Sequence, residues 1–183
     1  MNKVLHVFPY EKFTFDYISQ IERCFDPQNH TFYIYGKKSS DFIKTCDRKR
    51  SELIFVENIR VNDACNFIRL CEEYDKIIFH SLFLPPVFLT VCSLWIKKLE
   101  KKSFWNIWGA DLYDSYWSRK SKISHRIREL IRIRFITRIR AVGYIYSDYE
   151  KLKEWYGSSA KFYLANYSYD FIDIPQSRNK HKG

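Results

Sequence analysis

Short apolar segments alternate with amphipathic helical segments along most of this chain, and that alternation limits the folds that it can adopt. Seven segments rich in β-branched and aromatic residues are predicted as strands: 4–8, 31–35, 53–56, 76–80, 104–108, 144–146 and 161–164. Helical spacing of apolar residues predicts helices between them: 11–25, 63–74, 85–102, 122–142 and 148–156. Because such alternation is typical of parallel sheets, we expect an α/β fold, a Rossmann-like parallel sheet flanked by helices.

The composition is that of a soluble globular protein. Of 183 residues, 46% are apolar and 19% are aromatic, which is enough to bury a sizeable core. The five glycines and five prolines are too few for collagen-like or low-complexity architecture. We expect one domain over residues 1–170 and a polar tail, or the start of an interdomain linker, over residues 171–183.

Sequence patterns also exclude several functional classes. The chain has no uncharged apolar run long enough to span a bilayer, and its first residues lack the pattern of a secretory signal. Five widely spaced cysteines without a Cys-x-x-Cys pair favour reduced thiols in the cytoplasm. Neither Gly-rich phosphate motif occurs, which argues against P-loop and dinucleotide-binding proteins, and we expect no cofactor and no metal.

Polar side chains follow three of the predicted strands, at the edge where open parallel sheets bind ligands. Glu11 follows the first strand, His80 ends the fourth, and Asp111 follows the fifth. A lone histidine at the end of an apolar strand is more often a hydrogen-bonded core or rim residue than a catalyst. His6, inside the first strand, is interpreted as structural.

The densest motif is the aromatic segment 104–113. Gly109 allows a tight turn there, and Asp111 would be presented at the sheet edge as a general base or as an acceptor for a hydroxyl group. Trp108 and Tyr113 would flank a sugar, since pyranose faces stack on aromatic rings. The alternative is that Asp111 caps the next helix and that the tryptophans belong to the core.

A basic amphipathic helix is the other concentrated signal. Segment 119–140 carries nine Lys or Arg against Glu129 alone, which is +8 of the net charge of +10. An apolar stripe gives this helix one face to bury: Ile123, Ile127, Leu130, Ile131 and Phe135. Five arginines are predicted to meet an anionic lipid surface or a pyrophosphate: Arg126, Arg128, Arg132, Arg134 and Arg138. The alternative is that this helix covers the sheet with its apolar face and exposes its basic face to solvent. Nucleic acid is not expected as a partner, because no nucleic-acid-binding motif accompanies the charge.

The order of these motifs resembles the TDP-N-acetylfucosamine:lipid II N-acetylfucosaminyltransferase family. The resemblance rests on His80, on the string Trp-Gly-Ala-Asp-Leu-Tyr at 108–113, and on the basic helix and Tyr-Ile-Tyr segment behind it. It is clear over residues 75–164 and faint before them. Since this family looks like two-domain GT-B glycosyltransferases, the resemblance implies that the chain is the N-terminal half of such an enzyme.

That resemblance implies a reaction at the cytoplasmic face of the bacterial inner membrane. An acetamido-dideoxyhexose would move from a TDP-sugar to a polyprenyl-pyrophosphate-linked saccharide, in surface glycans such as enterobacterial common antigen. The residues that match the family pattern are His80, Trp108, Gly109, Asp111 and Tyr113. Within that set we expect Asp111 as the base and His80 as the second choice, with Glu11 as an additional contact to the acceptor.

Family members carry a second domain, and this chain ends where their interdomain linker would begin. The resemblance therefore implies an acceptor-binding half, with the TDP-sugar held by a C-terminal domain that is missing here or by a separate chain. The alternative is a non-catalytic module, derived from such an enzyme, that binds a membrane surface or a partner. It predicts membrane binding that falls steeply with salt and no sugar transfer.

Overall fold

A single parallel sheet forms the centre of the molecule, as the sequence predicts. The computed structural model describes residues 2–37, 50–117, 123–144 and 146–164, so the predicted tail at 171–183 lies outside the described residues. The seven strands are β1 (Val4–Pro9), β2 (His30–Tyr35), β3 (Glu52–Val56), β4 (Lys76–His80), β5 (Ser103–Asn106), β6 (Ala141–Tyr144) and β7 (Lys161–Leu164).

The strand order is that of a Rossmann-like sheet. Across the sheet the order is β3-β2-β1-β4-β5-β6-β7, and every neighbouring pair is parallel. The chain first adds strands on one side of β1, then crosses back to place β4 on its other side. This reversal puts the carboxyl ends of β1 and β4 beside each other, which is where open α/β sheets bind their ligands.

Helices cover both faces of this sheet. They are α1 (Thr14–Cys24), α2 (Val61–Glu72), α3 (Pro86–Leu94), α4 (Ile96–Leu99), α5 (Ala110–Trp117), α6 (Ile123–Ile136) and α7 (Tyr146–Tyr156), with a 3-10 turn at Pro27–Asn29. Ile18 and Ile21 of α1 pack on one side of the sheet against Phe8, Phe32 and Ile34. We call this side the α1 face.

The opposite face carries the larger core. Strand side chains alternate between the faces, so Leu5, Val7 and Phe79 lie on this side and are fully buried. Helix α2 contributes Phe67 and helix α6 contributes Phe135 to the same core. The four cysteines within the described residues are free thiols, and Cys46 lies outside them.

The largest error of the sequence prediction lies in segment 122–142. Helix α6 ends at Ile136, and β6 begins at Ala141, where a continuing helix was expected. Ile139 and Val142 continue the apolar spacing of the helix. Both are buried, but Ile139 lies in the segment between α6 and β6, and Val142 lies in β6. No glycine or proline marks this break, so the periodicity alone extends the helix too far.

The predicted strand 144–146 is displaced as well, because β6 covers Ala141–Tyr144 and α7 begins at Tyr146. Two helix boundaries also differ. The predicted helix 85–102 is two helices, α3 and α4, which meet at Trp95. The predicted helix 63–74 begins two residues earlier, at Val61, and its N-cap is Arg60, whose amide donates a hydrogen bond to the Asp63 carboxylate at 2.8 Å.

Candidate functional site

Three loops meet at the carboxyl edge of the sheet around the β1–β4 pair. Glu11 lies in the loop after β1, Ser81 and Leu82 follow β4, and Trp108 and Gly109 follow β5. The sequence predicted these three segments as the ligand-binding edge. The structure brings their backbones to that one edge, as the parallel topology requires.

The carboxylate of Asp111 ties two of these loops together. Its Oδ2 accepts hydrogen bonds from the Leu82 amide and from the indole Nε1 of Trp105, both at 2.8 Å. Its Oδ1 accepts a hydrogen bond from the Trp108 amide at 2.9 Å. One side chain in the first turn of α5 therefore fixes the loop after β4 relative to the loop after β5.

Burial and hydrogen bonding act on Asp111 in opposite directions. Burial is the larger effect and raises the pKa of this carboxyl, whereas the three hydrogen bonds and the nearby Arg132 guanidinium lower it. Only 1% of Asp111 is exposed, and its oxygens accept hydrogen bonds from the loop backbone and from the Trp105 indole. The sequence predicted a base or hydroxyl acceptor presented at the sheet edge; the structure shows Asp111 buried at that edge, where it anchors the two loops.

The loops on either side of this anchor adopt unusual backbone conformations. Ser81 has φ of 98°, a left-handed conformation that costs a residue with a Cβ atom about 1–3 kcal/mol. Its amide donates to the Asn106 carbonyl at 3.3 Å, and its hydroxyl accepts from the Phe83 amide at 3.2 Å. Gly109 has φ of 77°, which fits the tight turn that the sequence predicted there. Strain of this kind clusters at binding sites.

His80 ends β4 on the α1 face and is completely buried. Its ring stacks on Phe8 with centroids 3.8 Å apart, and its Nε2 lies 3.1 Å from Nδ1 of His6. No described residue offers a hydrogen-bond partner to His80 Nδ1, and the same holds for Oδ1 of Asn106, its neighbour on β5. Burial holds the pKa of His80 well below its usual range, so the ring is neutral.

The two aromatic residues predicted to flank a sugar lie on different faces of the sheet. Trp108 packs against the cluster on the α1 face, whereas Tyr113 packs against the core on the opposite face. The Tyr113 hydroxyl hydrogen-bonds to Asp148 at 2.5 Å and to the Lys151 ammonium at 2.8 Å, tying α5 to α7. The predicted aromatic clamp is therefore not formed, and of the two aromatic residues only Trp108 packs on the α1 face, where His80 also lies.

Glu11 is the exposed carboxylate of this edge. Its amide donates to the Thr14 hydroxyl at 3.0 Å, which fixes the start of α1. Partial burial raises the pKa of Glu11.

Tyr35, at the end of β2, was missed by sequence reasoning. Its buried hydroxyl has no hydrogen-bond partner within the described residues. Its pKa is raised by burial and then by the Asp111 and Glu11 carboxylates. Only the hydroxyl on an otherwise apolar strand end could have indicated it.

Helix α6 divides its apolar stripe between the core and the surface. Phe135 is fully buried, but Ile123, Ile127 and Leu130 are 75%, 54% and 67% exposed. Four of the five predicted arginines are exposed with them: Arg126, Arg128, Arg134 and Arg138. The first turns of the helix therefore present an apolar strip with basic residues beside it.

Arg132 and Arg138 form ion pairs within the domain. Arg132 is only 5% exposed; it donates to the Asp111 carbonyl and pairs with Glu129 at 3.2 Å. Arg132 is thus corrected from a surface anion contact to a buried support of the Asp111 turn. Arg138 is exposed and pairs with Glu100 at 3.3 Å.

Two features are absent from the described part of the chain. There, no cluster of three or more His, Cys, Asp or Glu side chains is arranged to hold a metal ion. Within the same ranges, no helix combines the length and apolar character needed to cross a bilayer.

Comparisons with solved structures return matches at low identity. L-threonine dehydrogenase from Clostridium difficile is 15% identical with a TM-score of 0.39, over 58% of this chain and 36% of that enzyme. A protein described as an NAD-dependent epimerase/dehydratase from Bacillus halodurans is 12% identical with a TM-score of 0.39, over 90% of this chain and 69% of that protein. The chain thus spans little more than a third of the length of the first. No curated protein matches the sequence.

A comparison with protein families returns a match over most of the chain. Residues 19–166 match the family described as 4-alpha-L-fucosyltransferase, glycosyl transferase group 56. That stretch begins in α1 and includes His80, Trp108, Gly109 and Asp111. It confirms the resemblance to the Fuc4NAc transferases that the motifs of the sequence indicated. The chain belongs to the glycosyl transferase group 56 family of 4-alpha-L-fucosyltransferases.

Proposed function

We propose that this domain binds the acceptor in a sugar transfer at a bacterial membrane. The donor would be a TDP-linked acetamido-dideoxyhexose and the acceptor a polyprenyl-pyrophosphate-linked saccharide of a surface glycan. The family supports glycosyl transfer as the reaction. The observation that carries the proposal is the carboxyl edge around β1 and β4, where Glu11 follows β1, His80 ends β4 and Trp108 follows β5.

Trp108 and Glu11 are the acceptor contacts in this proposal. The Trp108 indole offers a flat apolar surface to a pyranose ring, and the Glu11 carboxylate offers an acceptor for sugar hydroxyl groups. Glu11 is exposed and the Asp111 bonds hold the Trp108 backbone in place. Asp111 is a positioning residue in this scheme, because it acts on the ligand only through the two loops that it joins.

Transfer requires a base that removes a proton from the attacking acceptor hydroxyl. Three hydrogen bonds already occupy the Asp111 carboxylate, so we assign this role to the Nδ1 atom of His80, which has no partner within the described residues. The acceptor oxygen attacks the anomeric carbon, and the bond from that carbon to the TDP oxygen breaks. In a GT-B arrangement a second domain, on the same or a separate chain, would stabilise the departing TDP.

The exposed strip on α6 supports a peripheral position on the cytoplasmic side of the inner membrane. Ile123, Ile127 and Leu130 follow helical spacing and lie beside basic residues, which is the pattern of helices that bind anionic lipid surfaces. Helix α3 packs against α6, and its last residue Leu94 and the following Trp95 are exposed as well. Tryptophan is favoured at membrane–water interfaces.

Sedimentation with lipid vesicles tests the proposal. The full chain is mixed with anionic vesicles that contain polyprenyl-pyrophosphate saccharide and with matched vesicles that lack it. We expect tighter binding when the acceptor is present. Trp108→Ala should remove the acceptor-dependent part only, whereas Trp95→Ala, the matched control, should weaken binding to both kinds of vesicle.

The alternative is a non-catalytic membrane-surface module. The strip on α6 favours it, because this strip would bind anionic lipid without any acceptor. Equal binding to both kinds of vesicle would support that module and would count against an acceptor-binding site.

A further inference from the structure

Three histidines form a continuous hydrogen-bonded chain across the middle of the sheet. Nδ1 of His6 lies 3.1 Å from Nε2 of His80, and Nε2 of His6 lies 2.9 Å from Nδ1 of His30. His6 is in the central strand β1, between β2 and β4. His30 begins β2 and His80 ends β4, so the chain runs from the amino edge of the sheet to its carboxyl edge.

The protonation states along this chain are coupled. A neutral imidazole has one N–H donor and one acceptor nitrogen. In one arrangement each ring donates towards His80, which then carries its free proton on Nδ1. In the other, each ring donates towards His30, and His80 Nδ1 carries a lone pair. Moving one proton in at His80 and one out at His30 converts the second arrangement into the first.

The surroundings of the chain disfavour a positive charge at its buried end. His6 stacks against Phe32 and His80 against Phe8, while Tyr17 of α1 is the titratable group that packs edge-on against both imidazoles. Burial, followed by the repulsion from His30, lowers the pKa of His6 to about 3. Neither buried ring can hold an added proton near neutral pH.

The amino-edge end is different. His30 is half-buried, and its pKa is lowered by partial burial while the Asp26 carboxylate acts to raise it. A proton that enters at His80 therefore has an exit at His30, without leaving a charged imidazole in the core.

We propose that His6 and His30 are positioning residues that conduct a proton between His80 and solvent at the amino edge. This inference rests on the proposed function in taking the acceptor hydroxyl as the source of the proton. That hydroxyl, directly or through one water, gives its proton to His80 Nδ1 as its oxygen attacks the anomeric carbon. His80 passes its Nε2 proton to His6 Nδ1, and His6 passes its Nε2 proton to His30 Nδ1. His30 then releases its Nε2 proton to water, and the sugar leaves TDP.

Exchange of the imidazole N–H protons with water tests this without any activity. In the full chain labelled with 15N-histidine, we expect the ring N–H protons of His6 and His80 to exchange about tenfold or more faster than backbone amides of β1 and β4, which open only with the sheet. His30→Phe should slow ring exchange to the amide rate, and His30→Asn, which also lacks an imidazole, serves if the phenylalanine variant does not fold. Phe25→Leu is the control: the Phe25 ring packs against His30, but this substitution should leave the exchange of the imidazole N–H protons fast.

If the imidazole N–H protons of the natural chain exchange as slowly as the backbone amides, or if His30→Phe does not change their exchange rate, the inference is wrong.

A kinetic experiment separates the proton relay from the proposed function. With an active transferase, His30→Ala should lower kcat with little change in KM, and free imidazole should restore kcat. If Glu11→Gln abolishes turnover while His30→Ala does not, the proton leaves through Glu11 and the relay is wrong. Loss of acceptor-dependent vesicle binding would instead count against the proposed function itself.

Discussion

At the scale of single residues, Asp111 shows what a motif can and cannot indicate. The sequence correctly places this carboxylate at the carboxyl edge, in the turn after Gly109. Its role depends on the Leu82 amide, which is 29 positions away along the chain and therefore invisible to local spacing. The alternative reading of the motif, a carboxylate in the first turn of a helix beside a core tryptophan, is closer to the structure, since Trp105 is fully buried.

Replacing Asp111 by Asn should destabilise the domain. An amide has one acceptor oxygen and one NH2 group, so at least one of the three backbone and indole donors loses its partner. A buried donor without a partner costs about 1–3 kcal/mol, and we expect a loss of that size in the free energy of unfolding measured with urea. Asp75→Asn is the control: that carboxylate accepts one exposed hydrogen bond from the Lys3 amide at 2.8 Å. An unchanged urea midpoint for Asp111→Asn would contradict the anchoring role.

The histidine chain gives the domain an acid-sensitive stability. The pKa of His6 is about 3 in the folded protein against 6.5 without burial, so below pH 6.5 the unfolded chain binds more protons than the folded one. Stability is therefore fully present above pH 6.5 and is lost as pH falls, by about 1.4 kcal/mol per pH unit for each fully buried histidine.

This pH dependence is measured by urea unfolding at several pH values between 7.5 and 5. His6→Phe should reduce the slope of the unfolding free energy against pH by the contribution of one proton, about 1.4 kcal/mol per pH unit. An equal slope in the natural chain and in this variant would show that His6 is protonated in the fold.

At the scale of elements, helix α6 shows where periodicity fails. Its apolar stripe was predicted to bury against the sheet, and its last turn does so through Phe135. Its first turns are not covered in the same way, and Ile127 and Leu130 are exposed. Sequence spacing identifies an apolar face of a helix, but the length of the neighbouring layer decides how much of that face is covered.

A double variant tests the function of the exposed strip. Ile127→Ser with Leu130→Ser should lower the affinity for anionic vesicles by about tenfold or more, because each aliphatic side chain contributes roughly 1.5–3 kcal/mol when fully buried in an apolar phase. The fold should be unaffected, since both side chains are already exposed. Val61→Ser, at an exposed aliphatic residue of α2, is the matched control. Vesicle affinity equal to that of the natural chain would show that the strip does not meet lipid.

At the scale of the whole molecule, the alternation of strands and helices was sufficient to predict a parallel Rossmann-like sheet. It was not sufficient to predict which side chains meet across the strands. His6 is 24 positions from His30 and 74 positions from His80 along the chain. Only the register of three parallel strands brings these histidines together. The same limit explains why Trp108 and Tyr113, five positions apart, lie on different faces of the sheet.

The most direct measurement of the central claim is a crystal structure of the full chain with a water-soluble pyrophosphate-linked saccharide. The account predicts the saccharide at the carboxyl edge, with a sugar ring against Trp108, a hydroxyl within hydrogen-bond distance of Glu11, and the path to His80 Nδ1 open. The loops joined by Asp111 should frame it. A saccharide bound away from this edge, or one that contacts only the basic residues of α6, would contradict an acceptor site between β1 and β4.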